Sequence, residues 1–198
     1  MMWRIIKKLI VFLFILAFLG AAAAGGLVYW LVAVEPGSEI EQENIENILG
    51  RESPVFYRDG NEKIGVLFQE AHRQYLAYDQ IPKAFVNALV AAEDDQYFSH
   101  YGIDVLGIAR AMLTNIRAGR VVQGGSTITQ QTAKNLFKRE ARTYQAKLKE
   151  MLYALRLEYH YSKEKILEFY ANQFFVSGNG HGLGVAARYY FDKDVREL

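Results

Sequence analysis

The chain has 198 residues, a formal net charge of +1, 51% hydrophobic residues and no cysteine. This length and apolar content fit one globular domain with a membrane element. The lack of cysteine excludes a disulfide scaffold and a thiolate metal site, and the near-neutral charge does not support nucleic-acid binding.

The first element is a long apolar segment. Residues 9–34 contain no charge and at about 1.5 Å per residue would span roughly 39 Å as a helix, enough for a bilayer core of about 30 Å. A cleaved signal peptide is the alternative, but its apolar core is only about 7 to 15 residues long. Basic residues precede the segment and glutamates follow it, so the positive-inside rule predicts a cytoplasmic N-terminus at residues 1–8.

Residues 35–80 are predicted to be a linker followed by a small β-hairpin. Two apolar runs, residues 54–57 and 64–68, flank Asp59-Gly60, and Asp-Gly between such runs is typical of a hairpin turn. Polar residues 39–49 fit a short helix or a linker. An isolated hairpin is marginally stable, so it is expected to pack on the following domain or to form a stalk.

From residue 81 to residue 198 the pattern is almost entirely helical, which predicts one mainly α domain. Its first apolar helix ends at Glu93-Asp94-Asp95. A carboxyl group at such a helix end is partly desolvated, and this setting suits proton transfer. Glu93 is therefore the first candidate for an acid or base, and the alternative is an acidic triplet that only solvates the helix end.

The next helical pattern, residues 105–116, has a wide apolar face with Arg110, Arg117 and Arg120 beside it. This arrangement fits an ordinary core helix, and it also fits an interfacial helix on anionic lipid.

A glycine pair and a short polar run follow. Gly124-Gly125 permits a tight turn, Ser126 is a good N-cap, and the helix that it starts would present free N–H groups to an anion. Plain capping explains the glycines and the serine equally well. It does not explain why Gln130, Gln131 and Lys134 lie so close to the same turn.

A cationic segment covers residues 134–150. Its basic residues are Lys134, Lys138, Arg139, Arg142, Lys147 and Lys149, against Glu140 and Glu150. Such a patch in a near-neutral chain indicates an anionic partner, although a solvated helix face is a common alternative. The residues at helical spacing from Leu148 to Tyr159 predict an apolar core stripe with Glu150 at its edge.

These motifs resemble those of the peptidoglycan glycosyltransferases, glycosyltransferase family 51. Glu93-Asp94-x-x-Tyr97-x-x-His100 followed by Gly-Gly-Ser-Thr-Ile-Thr-Gln-Gln is similar to the first two motifs, with Tyr97 where the family usually has Phe. Ala146-Lys147-x-x-Glu150 is similar to the third motif, Arg-Lys-x-x-Glu, but lacks its arginine. Residues 165–172 and 178–187 resemble the fourth motif, expected to be mainly scaffold, and the glycine-rich fifth.

The resemblance implies a lysozyme-like, mainly α glycosyltransferase domain with a transmembrane helix and a small hairpin. It implies polymerisation of lipid II into glycan strands, with inversion and release of the lipid diphosphate, in bacterial cell-wall synthesis. Glu93 would deprotonate the acceptor hydroxyl, Asp94 would support it, and Glu150 would act with the basic residues on the donor diphosphate. The substrate-binding residues implied are His100, Ser126, Thr127, Gln130, Gln131, Lys134, Arg142, Lys147 and Lys149.

The resemblance also implies partners and a location. Lipid II, the growing strand, membrane lipids and other cell-wall synthesis proteins are the expected partners, at the outer side of the bacterial plasma membrane. The motifs identify no cofactor, although Mg²⁺ or Mn²⁺ could bridge the diphosphate; no metal-ligand spacing is present among the four histidines. Residues 81–198 are expected to lack the last helices of the family.

Two other functions compete with this reading. A lysozyme-type hydrolase would also use a glutamate at a helix end, but it would not need the cationic segment or the anchor. A non-catalytic scaffold for cell-wall assembly would not need both Glu93 and Glu150.

Overall fold

The computed structural model describes residues 2–50, 53–56, 63–67, 72–138, 143–176 and 180–198. They form two compact units, Met1–Pro36 and Gly37–Leu198. The first unit is helix α1, Met2–Tyr29, which continues into a π-helical turn at Trp30–Val34. Among the described residues, Trp3–Val34 is long and apolar enough to cross a membrane, as predicted for the anchor.

The second unit is mainly helical, which confirms the predicted fold class. Short 3₁₀ turns lie at Ser38–Ile40, Tyr78–Gln80, Tyr97–Ser99 and Val195–Glu197. The helices and strands are α2 Gln42–Leu49, β1 Ser53–Phe56, β2 Lys63–Leu67, β3 His72–Arg73, α3 Lys83–Glu93, α4 Val105–Ala118, α5 Ile128–Leu136, α6 Tyr144–His160, α7 Lys163–Gln173, β4 Gly180–His181 and α8 Leu183–Phe191.

Strands β1 and β2 pair antiparallel, with Ser53 opposite Leu67 and Val55 opposite Gly65, as the hairpin prediction requires. The predicted Asp59-Gly60 turn lies outside the described residues. Strands β3 and β4 form a second, two-residue parallel pair that the sequence pattern did not predict.

Helix α5 lies at the centre of the second unit, packed against α2, α6 and α7. It contributes Ile128, Ala133 and Leu136 to the core, all with at most 3% exposure. The other helices bring Ile45, Ala154, Leu157, Ile166, Leu167 and Phe169, among others, to the same core. The second motif is therefore carried by the most enclosed helix of this unit.

The segment after the predicted anchor is part of this core. Ile40, Ile45 and Leu49 are at most 3% exposed, and the Tyr161 hydroxyl donates to the Ile40 carbonyl oxygen at 2.5 Å. The compact unit thus begins well before the predicted boundary at residue 81, because three apolar residues within a polar stretch fall on one face of α2 and of the turn before it.

Truncating Ile45 is expected to destabilise the second unit by about 2–5 kcal/mol, because Ile45→Ala removes a buried side chain and leaves a cavity. Ile48 lies on the same helix but is 37% exposed, so Ile48→Ala should change the free energy of unfolding by less than about 0.5 kcal/mol. Denaturant unfolding followed by circular dichroism compares the two. Equal losses from both substitutions would show that α2 does not dock as described.

The fourth motif holds the chain that enters α3. Glu168 accepts from the Tyr75 hydroxyl at 2.5 Å and from the Tyr78 N–H at 2.9 Å. Asn172 pairs with both backbone groups of Leu76, each at 2.8 Å. These contacts give the motif a scaffold role, as expected from the sequence.

Candidate active site

Asp94, the residue after α3, joins the first and second motifs. The residue is 8% exposed. Its two carboxylate oxygens lie 3.1 and 3.0 Å from His100 Nε2, and one of them accepts from the Ile128 N–H at 3.0 Å. The helix N-terminus predicted to bind an anion therefore binds this chain's own carboxylate. His100 is engaged by Asp94 and does not line the cleft described below.

The N-cap of α5 is Thr127 and not Ser126, which corrects the sequence prediction by one residue. Thr127 Oγ1 accepts from the Gln130 N–H at 3.1 Å while Gln130 Oε1 accepts from the Thr127 N–H at 3.0 Å, a reciprocal capping box. The Thr127 hydroxyl also donates to the Gly102 carbonyl oxygen at 2.6 Å. Gln130 is fully buried, so its position favours a structural role over the predicted contact with substrate.

Gly102 lets its own backbone pack closely against α6. Its φ is +81°, and a Cβ there would lie 3.0 Å from the Ala154 carbonyl oxygen. Any other residue would strain the backbone and collide with α6.

Glu93 is the last residue of α3, and its side chain is exposed. The predicted desolvation of this carboxyl is therefore wrong, because α3 ends at the rim of a cleft and not inside the core. Glu93 Oε2 accepts a hydrogen bond from Gln131 Nε2 at 2.7 Å. This is a second contact between the first and second motifs, and it is exposed to solvent.

Glu93 and Gln131 line a polar cleft of about 490 Å³ between α3, α4 and the start of α5. Ser126 and Thr127 also line it, together with a cation from α4, Arg110. The remaining lining residues are Ala91, Ala92, Asp94, Asp95, Asp104, Gly107, Val122, Gln123, Gly124 and Gly125.

Lys147 connects the second and third motifs. Its Nζ donates to Ser126 Oγ at 3.0 Å and forms an ion pair with the Glu150 carboxylate. Glu150 is only 4% exposed, so the ammonium group partly offsets the cost of burying its charge. Three predicted site residues are thereby brought together beside the cleft.

The buried face of α6 differs from the predicted one. Leu148 is 65% exposed and Tyr159 is 56% exposed, whereas Glu150, Ala154 and Leu157 face the core. Helical spacing was predicted correctly, but the predicted apolar stripe is wrong. The core packs on the neighbouring face of α6, which carries Ala154, Leu157 and the Lys147-paired Glu150.

The remaining predicted cations are only partly described. Lys134 and Lys149 are exposed, and Lys149 Nζ lies 5.7 Å from the centre of the Tyr153 ring. Arg142 lies outside the described residues. Within the described part of the chain, no group of three or more His, Asp or Glu side chains could hold a metal ion.

Tyr97, the departure from the family's phenylalanine, is fully buried. Its hydroxyl donates to the Lys163 carbonyl oxygen at 2.9 Å. Burial raises its pKa far above the usual value, and nearby Glu158 raises it further, so the phenol stays a neutral donor. Glu158 in turn accepts from Lys163 Nζ at 2.7 Å and from Thr129 Oγ1 at 2.5 Å. The sequence pattern did not predict this network. Tyr97 in place of phenylalanine is the sequence feature that points to it.

Helix α4 buries a single residue, Ala111. Its apolar residues Val105, Leu106, Met112, Leu113 and Ile116 are each at least 52% exposed. The ordinary core-helix reading is therefore wrong for this unit, because no described helix covers that face.

A second, mainly apolar cleft of about 690 Å³ runs along α4, lined by Met112, Ile116 and Val121. Ser126 and Lys147 also line it, and Ser126 is shared with the polar cleft. Gly125 lets the segment before α5 pack directly against α4, since a Cβ there would lie 3.2 Å from Ile108 Cα. An apolar groove thus leads to the polar residues of the second and third motifs.

The fold and this site define a helical transglycosylase domain that follows an apolar helix long enough to cross a membrane. The Transglycosylase family profile matches residues 60–198, well over half of the chain. The chain belongs to that family.

Curated relatives of this chain include penicillin-binding proteins. Penicillin-binding protein 1A of Aquifex aeolicus is 49% identical over 126 residues, which are 64% of this chain and 17% of that protein. Penicillin-binding protein 1B of Vibrio cholerae is 41% identical over 78% of this chain and 21% of its own length. Penicillin-binding protein 1A of Neisseria meningitidis is 35% identical over 98% of this chain and 24% of its own length. The chain therefore spans no more than about a quarter of these relatives.

Proposed function

We propose that this protein is a peptidoglycan glycosyltransferase that polymerises lipid II into glycan strands, as an enzyme of bacterial cell-wall synthesis. The observation that carries the proposal is the junction of two clefts at Ser126. One cleft is polar and contains Glu93, and the other is apolar and has Lys147 in its lining. A substrate with a lipid tail, a diphosphate and a sugar needs an apolar groove, a cation and a polar cleft beside one another.

Glu93 would act as the general base. It accepts the proton of the acceptor sugar 4-hydroxyl as that oxygen forms a bond to the donor anomeric carbon. The bond from that carbon to the diphosphate oxygen breaks with its electron pair, so the anomeric centre is inverted and the lipid diphosphate leaves. The exposure of Glu93 in the cleft supports this role, because a base must reach the hydroxyl within hydrogen-bond distance.

The basic residues would stabilise the charge that develops on the leaving diphosphate. Lys134, Arg142 and Lys149 are the proposed contacts, since Lys134 and Lys149 are exposed cations. Lys147 would be held for this task by Ser126 and Glu150. Asp94 would act indirectly, by fixing α5 to the end of α3.

The remaining expectations are part of the proposal. Residues 1–8 would lie in the cytoplasm and the catalytic unit on the outer side of the bacterial plasma membrane, with lipid II, the growing strand and other cell-wall synthesis proteins as partners. A divalent cation, Mg²⁺ or Mn²⁺, would help to neutralise the donor diphosphate, and the steps above are assigned to this chain's own residues.

Incubation of the protein with labelled lipid II, followed by separation of the products by size, tests the reaction. Polymeric strands and free lipid diphosphate are expected. Cleavage of preformed glycan strands without polymer formation would favour the lysozyme-type hydrolase. Binding of lipid II without any product would favour a scaffold.

Residues 35–198 alone are expected to bind anionic lipid vesicles, because the exposed apolar face of α4 and its arginines remain after the anchor is removed. Flotation at low salt measures the bound fraction. A variant with Leu106→Ser and Ile116→Ser should lose most of this binding, whereas Leu148→Ser, on an exposed site of α6, should not. Equal flotation of all three proteins would exclude α4 as the lipid-binding surface.

A further inference from the structure

The two neighbouring glutamines of the second motif have different environments. Gln130 is fully buried, and its side-chain oxygen completes the capping box with Thr127. Gln131 is half-buried at the cleft and donates through Nε2 to Glu93 Oε2 at 2.7 Å. Successive helical residues point about 100° apart, so only one of the pair can face Glu93.

The contact between Gln131 and Glu93 is supported by a separate contact between their neighbours along the chain. Asp94, next to Glu93, accepts from the Ile128 N–H, and Ile128 starts the helix that carries Gln131. His100 holds the same Asp94 carboxylate from the other side. The end of α3 and the first turn of α5 are therefore joined independently of the glutamine, which places its amide at a set distance from Glu93.

We infer that Gln131 is a positioning residue for Glu93: it holds Oε2 and thereby leaves Oε1 to receive the proton of the acceptor hydroxyl. This inference rests on the proposed function. An amide nitrogen donates and cannot act as a base, so Gln131 itself takes no proton. Because an exposed carboxylate otherwise rotates among several orientations, a fixed hydrogen bond makes its two oxygens inequivalent and increases the population of the reactive geometry.

The simpler role for Gln131 is direct binding of substrate, as the sequence motif implied. The two roles separate in kinetics, because lost substrate binding raises KM and a misoriented base lowers kcat. The pH profile of kcat also distinguishes the two roles. Only the positioning role alters the base whose protonation limits the rate at low pH.

Gln131→Leu and Gln131→Glu test the inference in the whole chain of 198 residues. The leucine variant removes the donor, and kcat should fall about tenfold while KM stays within about twofold. The glutamate variant places a second carboxyl group beside Glu93. Two carboxylates so close cannot both ionise, so one proton is retained and the acidic limb of the kcat profile should move up by about one pH unit or more.

A matched control exists on α2. Gln42 Nε2 donates to Glu46 Oε1 at 2.8 Å, also between exposed side chains. Gln42→Leu and Gln42→Glu remove the same kind of contact away from the cleft, and neither should change kcat or its pH profile. A raised KM with unchanged kcat and acidic limb in the Gln131 variants would overturn the inference in favour of substrate binding. A lower Tm with an unchanged acidic limb would reduce Gln131 to a structural residue.

A second measurement does not depend on activity. The side-chain amide signals of Gln131, assigned by their loss in Gln131→Leu, should shift in ¹H–¹⁵N spectra as Glu93 titrates, and this shift should vanish in Glu93→Gln. Amide signals that ignore Glu93 would overturn the inference whatever the kinetics show. If the amide follows Glu93 but the parent makes no polymer from lipid II, the proposed reaction fails and the contact stands.

Discussion

Replacing Glu93 with glutamine should abolish polymerisation of lipid II and leave the free energy of unfolding almost unchanged. The amide keeps the shape of the side chain but cannot accept a proton, and loss of one general base costs about 10²- to 10⁴-fold in rate. Because Glu93 is exposed and its variant oxygen can still accept from Gln131, the fold should tolerate the change. Initial rates and thermal unfolding of the same preparations measure the two effects.

Glu164→Gln provides the control for this substitution. Glu164 is an exposed glutamate in the first turn of α7, and its variant should polymerise lipid II at the parent rate. If Glu93→Gln also retained the parent rate, another residue would have to be the base.

The second large effect is expected on the donor side, where Lys149→Ala and Arg142→Ala should each lower polymerisation severely. Charge-assisted hydrogen bonds contribute about 1.5–3 kcal/mol, which corresponds to a loss of roughly 10- to 150-fold. Lys149 is exposed, and Lys83, at the start of α3, is an exposed lysine distant in sequence from the cationic segment. Rates against lipid II concentration should therefore be unaffected by Lys83→Ala.

Ala146→Arg belongs to the same experiment because it restores the arginine of the third motif. Ala146 is half-buried in the first turn of α6, where its N–H donates to Thr143 Oγ1 at 3.2 Å. An added cation there should leave the rate unchanged or raise it. A severe loss from Ala146→Arg with a harmless Arg142→Ala would place the diphosphate on another side of α6.

Local patterns predicted the helices but not which of their faces are buried. The spacing of apolar residues indicated α6 correctly, yet Glu150 lies inside and Leu148 outside. Glu150 is paired with Lys147, and hydrophobic periodicity does not account for the burial of such a pair. The face of α4 was identified correctly from the sequence, but whether another element covers it depends on tertiary packing.

Contacts between distant residues were the least predictable part of the site. Asp94 and Ile128 are 34 positions apart, and Glu93 and Gln131 are 38 apart. A helix N-terminus predicts that an anion binds there but does not identify the anion. Here the anion is the Asp94 carboxylate of the first motif. The one-residue error in the N-cap has a similar origin, because Thr127 gains a contact with Gly102 that Ser126 does not.

The Asp94 bond to the Ile128 amide also determines what can move. This hydrogen bond joins the two ends of the segment 95–127. Helix α4, which has a single buried residue, lies within that segment. The same segment is held to the rest of the unit at Tyr97 and Gly102, so a tilt or change of depth of α4 in a bilayer would pivot after Gly102 and leave the distance between Glu93 and Gln131 unchanged. The contact that orients the proposed base would then not depend on how deeply α4 lies in the membrane.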